Sequence, residues 1–259
     1  RMLASLPVNA STILVDNASD DVDATRRIAA EYGSKLIELP TNVGFGSACN
    51  LAAQRGQTDF LLFLNPDCVL QPGTLACLIK AADAYPRAVA FNPAIQSATG
   101  EEQFKRGSVL LPRDRWLPRG APSSDRVVPI LSGAAMFVRR AAFDRVNGFD
   151  PAIFLYHEDD DLSLRLATLG DLMFVRDAVV RHDGGASSPR TPFVSSLKGW
   201  HMGRSRVYAA RKHGLAFPFT WPLALALAQA GTPALLFSAR KRAKNMAFLR
   251  GVMSMRVHP

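Results

Sequence analysis

The densest group of reactive side chains in the sequence is a run of four consecutive carboxylates, from Glu158 to Asp161. Arg165 follows Asp161 by four residues, a spacing that places both side chains on one face of a helix. We therefore expect these two to form an ion pair. Glu158 and Asp159 would then stand at the mouth of the helix, where crowded carboxylates favour proton uptake. Such a group can act as a general base toward a hydroxyl.

A second candidate site combines a carboxylate with an imidazole. Asp67 follows the apolar run Phe60 to Leu64, and Pro66 before it fixes a turn that aims the carboxylate away from the strand end. The carboxylate is a hard oxygen ligand, suited to Mg²⁺ or Mn²⁺ bridging a diphosphate. His182 stands just past another strand and is a further candidate ligand. An ordinary turn at Asp67 and a structural His182 are the alternatives.

Two polar residues directly follow the first apolar run, Ile13 to Val15. The carboxylate of Asp16 could accept hydrogen bonds from a nucleobase or a ribose at this strand end. The alternative is a helix cap, because Ser19 or Asp20 could cap the helix that follows. Capping by those residues would leave Asp16 and Asn17 without a role.

A glycine-containing segment, Asn42 to Asn50, follows the next strand. Gly44 and Gly46 at the start of a helix would let backbone N–H groups approach a phosphate. The pattern resembles the dinucleotide fingerprint, although Cys49 stands where its third glycine belongs. Asp67 lies at roughly the acidic spacing of that fingerprint. An NAD-dependent oxidoreductase therefore remains an alternative function.

The elements that must position these residues alternate between strands and helices. Apolar runs predict strands and amphipathic stretches predict helices in a β-α-β order, which is typical of a mostly parallel sheet flanked by helices. The predicted strands are 13–15, 35–39, 60–64, 88–91, 133–139 and 172–181, and the predicted helices are 21–32, 47–55, 75–85, 161–169 and one that begins near Arg140. Residues 92–130 interrupt this order and are interpreted as a long surface excursion.

Composition limits the classes of protein that remain. The 259 residues are 48% apolar and 20% charged, which excludes a disordered chain. The net charge of +9 favours polyanionic partners, but no basic recognition helix or aromatic platform supports nucleic-acid binding. The three cysteines, Cys49, Cys68 and Cys77, form no CxxC pair and favour a reducing compartment.

The C-terminal region has a different character. Residues 214–239 contain no charged side chain and are flanked by basic triplets. Prolines at 218, 222 and 233 argue against a membrane span, so we expect an interfacial helical segment with Trp221 near the lipid headgroups. Helices packed on the rest of the chain or in a homodimer interface are the alternative. A non-catalytic membrane-associated subunit is accordingly a third functional hypothesis.

The motifs together resemble the family 2 glycosyltransferases with a GT-A fold, in the branch of bacterial rhamnosyltransferases that build cell-surface polysaccharides. The residues that carry the resemblance are 15–19, 42–46 with Asn50, 64–67, 132–134, 148–150, 158–162 with Arg165, and His182. The match extends from about Thr12 to Ser187. It implies a glycosyltransferase domain over 1–200 and a helical tail over 201–259. The family's first strand would precede residue 1.

The resemblance implies an inverting, metal-dependent transfer of a sugar, with rhamnose as one candidate. Asp159 would be the catalytic base, while Asp67 and His182 would hold a divalent cation, Mg²⁺ or Mn²⁺. Asn65 replaces the first acid of the family's metal-binding triplet, and Asp160 stands where the family has an apolar residue. The residues implied in nucleotide and donor binding are Asp16, Asn17, Asn42, Gly44, Asn50 and Asp67. Those implied on the acceptor side or in its support are Glu158, Asp161 and Arg165.

The resemblance also implies partners and a location. The donor would be a dTDP- or UDP-linked sugar, and the acceptor a glycan or a lipid-linked molecule. No nucleic-acid partner is expected. The chain would be cytoplasmic and peripheral on the inner face of the membrane, and a homodimer is a further expectation.

Overall fold

The computed structural model describes residues 1–182, 191–232 and 238–256. The chain divides into two compact units, one formed by Arg1–Asp150 with Asp159–Ser187 and one by Pro151–Glu158 with Ser188–Pro259. The division at residue 200 stays a prediction. Ser187, Pro233 and the end of the uncharged stretch at 234–237 lie outside the described residues.

The first unit contains a central α/β arrangement. Its strands are β1 (Ile13–Asp16), β2 (Lys35–Glu38), β3 (Phe60–Leu64), β4 (Cys68–Leu70), β5 (Ala88–Gln96), β6 (Arg126–Val127), β7 (Ala135–Arg139) and β8 (Asp171–His182). Its helices are α1 (Val22–Glu31), α2 (Phe45–Arg55), α3 (Thr74–Ala84), α4 (Arg140–Arg145) and α5 (Glu158–Leu166), and a short 3-10 turn spans Leu3–Ser5.

Strand pairing in this unit is mixed. β1 and β2 form a parallel pair, and the larger sheet has the order β3-β7-β5-β8-β4 with β6 also paired to β8. Only β5 and β8 pair in parallel within the larger sheet, among the residues that the structure describes. The α/β class is confirmed, but the mostly parallel pairing is wrong. A tight turn joins β3 to β4, and β7 follows a long irregular segment, so neither connection is a crossover helix.

Three strands of the larger sheet nevertheless run in one direction. β3 and β5 are each antiparallel to β7, and β5 is parallel to β8. The carboxyl ends of β3, β5 and β8 therefore lie toward the same edge of the sheet. That edge is where ligands bind in open α/β sheets.

An aromatic cluster forms the core beneath this edge. The Phe149 ring is 1% exposed, and its centroid lies 5.2 Å from that of Phe63 and 5.9 Å from that of Phe143. Ala29 of α1 is buried, whereas Ile28 is 45% exposed. The two residues are consecutive and face different sides of the helix.

The interpretation of residues 92–130 as a surface excursion is also wrong in part. β5 continues to Gln96, and β6 adds two residues to the sheet. Leu110, Val128 and Ile130 are buried in the core. Isolated apolar residues between prolines and arginines give no periodic signal, which is why the sequence did not predict this packing.

The second unit is helical. Its helices are α6 (Pro192–Lys212), α7 (Thr220–Ala230) and α8 (Ala239–Met253). Val207, Phe248 and Val252 form its buried core. A side chain at Gly203 would collide with the backbone at Phe248, so glycine allows α6 and α8 to approach closely. None of the helices described is both long enough and apolar enough to cross a bilayer.

The packing of α2 on the aromatic cluster can be tested by substitution of Gly46. A Cβ at Gly46 would lie 2.7 Å from the Phe149 Cβ, an atom that a rotamer change cannot move. We expect Gly46→Ala to lower the free energy of unfolding by about 1–3 kcal/mol through overpacking. Ser47→Ala on the same helix is the control and should have little effect. Equal unfolding curves in denaturant for both variants would contradict this packing.

Candidate active site

The turn between β3 and β4 fixes the position of Asp67. The Cys68 N–H donates to the carbonyl oxygen of Asn65 at 3.0 Å, so Pro66 takes the turn position that its ring favours. Cys68 then pairs with His182 in the β4–β8 register. Asp67 and His182, 115 positions apart in the sequence, therefore become neighbours.

The structure brings these two predicted ligands together. Asp67 Oδ1 lies 3.3 Å from His182 Nε2, and the His182 Nδ1 lies 3.3 Å from Gln103 Oε1. The Asp67 side chain is only 7% exposed, and Oδ1 has no hydrogen bond among the described residues. A buried carboxylate oxygen without a hydrogen-bond donor, beside an imidazole nitrogen, is a donor set that fits a divalent cation. The nearby Cys68 Sγ donates to the carbonyl oxygen of Ala134.

The Asp159 carboxylate is held by two donors on one oxygen. Lys105 Nζ lies 2.6 Å from Asp159 Oδ2, and the Gly133 N–H donates to the same atom at 2.8 Å. Oδ1 accepts from the Asp160 N–H at 2.9 Å. Asp159 is therefore not the free carboxylate that the sequence suggested, because its position at the start of α5 is fixed by contacts.

Lys105 is the functional residue that sequence reasoning missed. Its ammonium also lies 2.7 Å from Asp160 Oδ1, so one cation bridges both carboxylates. Burial opposes the charged form, but the charges of Asp159 and Asp160 outweigh it and raise the pKa of Lys105. Asp160 is 5% exposed, and its charge at a position expected to be apolar is offset by this lysine. Lys105 lies in the segment 92–130, which was interpreted as a surface excursion, so the sequence provided no reason to expect a contact between Lys105 and α5.

The predicted ion pair between Asp161 and Arg165 is confirmed. Arg165 Nη2 lies 2.7 Å from Asp161 Oδ2, and Arg165 Nε donates to the same oxygen at 2.9 Å. Arg165 Nη1 also donates to the carbonyl oxygens of Val146 and Gly148. The pair therefore fixes the loop before Phe149 against α5, which itself begins at Glu158.

Asn50 fixes the same loop from the other side. Its Nδ2 donates to the Phe149 carbonyl oxygen at 2.8 Å, and its Oδ1 accepts from the Phe149 N–H at 2.9 Å. These bonds fix the position of the loop 148–150 relative to α2. The donor-binding role expected for Asn50 stays a prediction.

Asp16 and Asn17 organise the loops at the end of β1. Asp16 accepts from the Ser19 N–H and from the Thr25 hydroxyl; burial opposes the charged form, but these hydrogen bonds lower the pKa of Asp16. Asn17 Oδ1 accepts from the Val43 N–H at 2.9 Å. The alternative interpretation, capping by Ser19 or Asp20, is wrong, because the side chain of Asp21 caps α1.

The glycine segment opens α2 two residues earlier than predicted. Gly44 is the N-terminal cap residue with φ 86, a conformation that side chains disfavour, and its N–H donates to Asn42 Oδ1 at 3.0 Å. Asn17 Nδ2 donates to the Gly44 carbonyl oxygen at 3.3 Å, so the predicted donor residues Asn17, Asn42 and Gly44 lie together. Gly46 instead packs against Phe149.

The fold and the strand-edge site define an α/β enzyme with carboxylate-rich chemistry, and the family model named Glycosyl transferase family 2 matches residues 7–146. The chain belongs to glycosyltransferase family 2. This membership supports the transferase hypothesis and gives no support to the oxidoreductase or to the non-catalytic subunit.

Two relatives of this chain are rhamnosyltransferases. An N-acetylglucosaminyl-diphospho-decaprenol L-rhamnosyltransferase of Mycobacterium tuberculosis is 32% identical over 263 residues, which cover 88% of this chain and 85% of the relative. The rhamnosyltransferase WbbL of Escherichia coli is 29% identical over 197 residues, covering 67% of this chain and 72% of the relative.

Solved structures confirm the GT-A fold. A mannosyltransferase from Pyrobaculum calidifontis, in complex with GDP-Man and Mn²⁺, has a TM-score of 0.54 at 16% identity and covers 96% of this chain and 78% of its own. A fragment of S. aureus TarS in complex with UDP has a TM-score of 0.54 at 17% identity, and the match covers 100% of this chain and 88% of the fragment. At these identities the similarity shows the fold alone.

The bridge formed by Lys105 predicts a stability effect. We expect Lys105→Met to lower the free energy of unfolding by about 3 kcal/mol, because the buried Asp160 and the partly buried Asp159 lose their shared cation. Adding Asp160→Asn to this variant should recover part of the loss by removing one charge. The exposed Lys80→Met is the control. A loss no larger than that of the control in chemical denaturation would contradict the bridge.

Proposed function

We propose that this chain catalyses inverting transfer of a sugar from a nucleotide-diphosphate donor to a hydroxyl group of a lipid-linked or glycan acceptor. The observation that carries the proposal is the Asp159 carboxylate, oriented through Oδ2 by Lys105 and Gly133. Both curated relatives described above are rhamnosyltransferases, which supports rhamnose as the sugar. The mycobacterial relative is named for an N-acetylglucosaminyl-diphospho-decaprenol acceptor, which supports a lipid-linked acceptor for this chain.

Proton transfer to Asp159 is the central step of the proposal. The acceptor O–H gives its proton to the Asp159 carboxylate while the oxygen attacks the anomeric carbon. The bond from that carbon to the diphosphate oxygen breaks on the opposite face, so the configuration inverts and a nucleoside diphosphate leaves. Oδ2 is engaged by two donors, so we assign the proton to Oδ1.

The pair Asp67 and His182 would hold a divalent cation. Such an ion, Mg²⁺ or Mn²⁺, neutralises charge on a departing diphosphate when bound. Support comes from the buried Asp67 Oδ1 that lacks a hydrogen bond and from the Mn²⁺ in the mannosyltransferase complex of the same fold. The geometry does not favour either ion over the other.

The nucleotide would bind beside the carboxyl end of β1 and the N-terminal end of α2. Asp16 is assigned to the base, and its hydrogen bonds to Ser19 and Thr25 keep it ionised as an acceptor. Asn17, Asn42 and Gly44 form the adjoining loop that faces the donor in this proposal. We expect the donor to be a dTDP- or UDP-linked sugar. The complex of TarS, which has the same fold, with UDP supports a UDP-linked donor.

The helical unit would meet the inner face of the cytoplasmic membrane. On α7, which has no charged residue, Trp221 is 69% exposed and Leu227 is 56% exposed. Residues 188–259 contain twelve lysines and arginines but no acidic residue, so the positive charge of the chain is concentrated there. Exposed apolar residues beside basic ones favour an anionic lipid surface. Cytoplasmic location and a homodimer remain expectations of the same proposal.

Substitution of the proposed base tests the catalytic part. We expect Asp159→Asn to reduce turnover about a thousandfold, because an amide cannot accept the hydroxyl proton. Lys105 keeps its contact with Asp160, so the variant should still fold and bind a nucleoside diphosphate in calorimetry. Asp83→Asn on the exposed face of α3 is the control. Wild-type turnover in Asp159→Asn, measured as nucleoside diphosphate release, would remove Asp159 from this role.

The lipid surface is tested separately. We expect Trp221→Ser combined with Leu227→Ser to weaken binding to phosphatidylglycerol vesicles about tenfold, because two exposed apolar side chains no longer enter the interface. Ile79→Ser, which changes an exposed apolar residue of α3, is the control. Equal vesicle binding in a sedimentation assay by both variants would contradict contact through α7.

A further inference from the structure

A cavity of about 330 Å³ lies within the helical unit, among α6, α7 and α8. Three cationic side chains line it, and the apolar part of its wall is formed by Met202, Leu225 and Phe248. The cations are Arg206 on α6 and Lys241 and Lys244 on α8. The cavity is therefore basic on one part and apolar on another, a combination suited to an amphiphilic ligand.

The cations of the cavity have no carboxylate partner among the described residues. No described carboxylate forms an ion pair with Arg206, Lys241 or Lys244, and residues 188–259 contain no Asp or Glu at all. Arg206 is half-buried, and burial lowers its pKa. A partly desolvated guanidinium with no carboxylate partner is costly unless an anion offsets its charge.

We propose that this cavity binds the phosphate group of a long-chain lipid, with Arg206, Lys241 and Lys244 as its ligands. A guanidinium and two ammonium groups are the side chains that bind phosphate oxygens best. This inference rests on the proposed contact of the helical unit with a lipid surface. The inference names the residues that would bind the lipid headgroup attracted by the basic charge of this unit.

The apolar wall favours a lipid over free phosphate as the source of that group. Leu225 follows Trp221 by one helical turn, so the cavity wall and the exposed indole lie on the same side of α7. Asn245 Nδ2 donates to the Gln229 carbonyl oxygen at 3.0 Å and holds α8 to α7 at the cavity. An alkyl chain leaving the phosphate would thus meet apolar side chains rather than solvent.

The test compares two double variants with the same loss of charge in the full chain. Lys241→Gln with Lys244→Gln removes two cavity cations, and both side chains are exposed, so folding should be unaffected. Lys212→Gln with Arg250→Gln removes two exposed cations outside the cavity. Arg206→Gln is measured alongside, and thermal unfolding checks all three. Binding is measured to phosphatidylcholine vesicles with a minor fraction of polyprenyl diphosphate, and to inorganic pyrophosphate in solution.

We expect the cavity double variant to bind the polyprenyl diphosphate vesicles about tenfold more weakly than the control double variant. Pyrophosphate in solution should bind the wild-type chain more weakly than the vesicles do. Equal losses in both doubles would overturn the cavity site and leave general charge attraction as the cause. Pyrophosphate binding as tight as vesicle binding would overturn the lipid source. Neither readout is turnover, so the result does not depend on whether Asp159 is the catalytic base.

Discussion

Four adjacent carboxylates at the start of one helix repel one another, and the site depends on how that repulsion is relieved. Lys105 reaches α5 from the irregular segment between β5 and β7 and bridges Asp159 and Asp160. Arg165 neutralises Asp161 from within the helix. These two cations offset the repulsion among the carboxylates and hold the side chains of Asp159, Asp160 and Asp161 in place. If Asp159 is the base, as proposed, it is oriented before the acceptor arrives and needs no rearrangement at the moment of proton transfer.

The same contacts join distant parts of the chain around the site. Arg165 holds the carbonyl oxygens of Val146 and Gly148, while Asn50 of α2 holds both backbone groups of Phe149. The loop between them is therefore fixed from two helices, above the buried ring of Phe149. The position of this loop and the packing of the core therefore depend on each other, and the close approach of α2 to Phe149 requires the glycine at 46.

Sequence reasoning succeeded where the signal is local. The apolar run at Phe60–Leu64 predicted β3, and the i, i+4 spacing predicted the pair of Asp161 and Arg165. It did not find Lys105, whose partner Asp159 is 54 positions away, and the bonds between Asn50 and Phe149 span 99 positions. Such contacts depend on how the strands pair, and the mostly parallel pairing was the part of the fold predicted wrongly. Family motifs identified candidate residues, but only the sheet topology brought Asp67 beside His182.

The donor diphosphate is proposed to bind at Asp67 and His182 together with a divalent cation, and calorimetric titration measures this binding. Nucleoside diphosphates of uridine, thymidine and guanosine, and NAD, would each be titrated with and without Mn²⁺ into the wild-type chain and into Asp67→Asn. We expect Mn²⁺-dependent binding of one nucleoside diphosphate that Asp67→Asn abolishes. Binding that is independent of Mn²⁺ and unchanged by Asp67→Asn, or binding of NAD without metal, would contradict it.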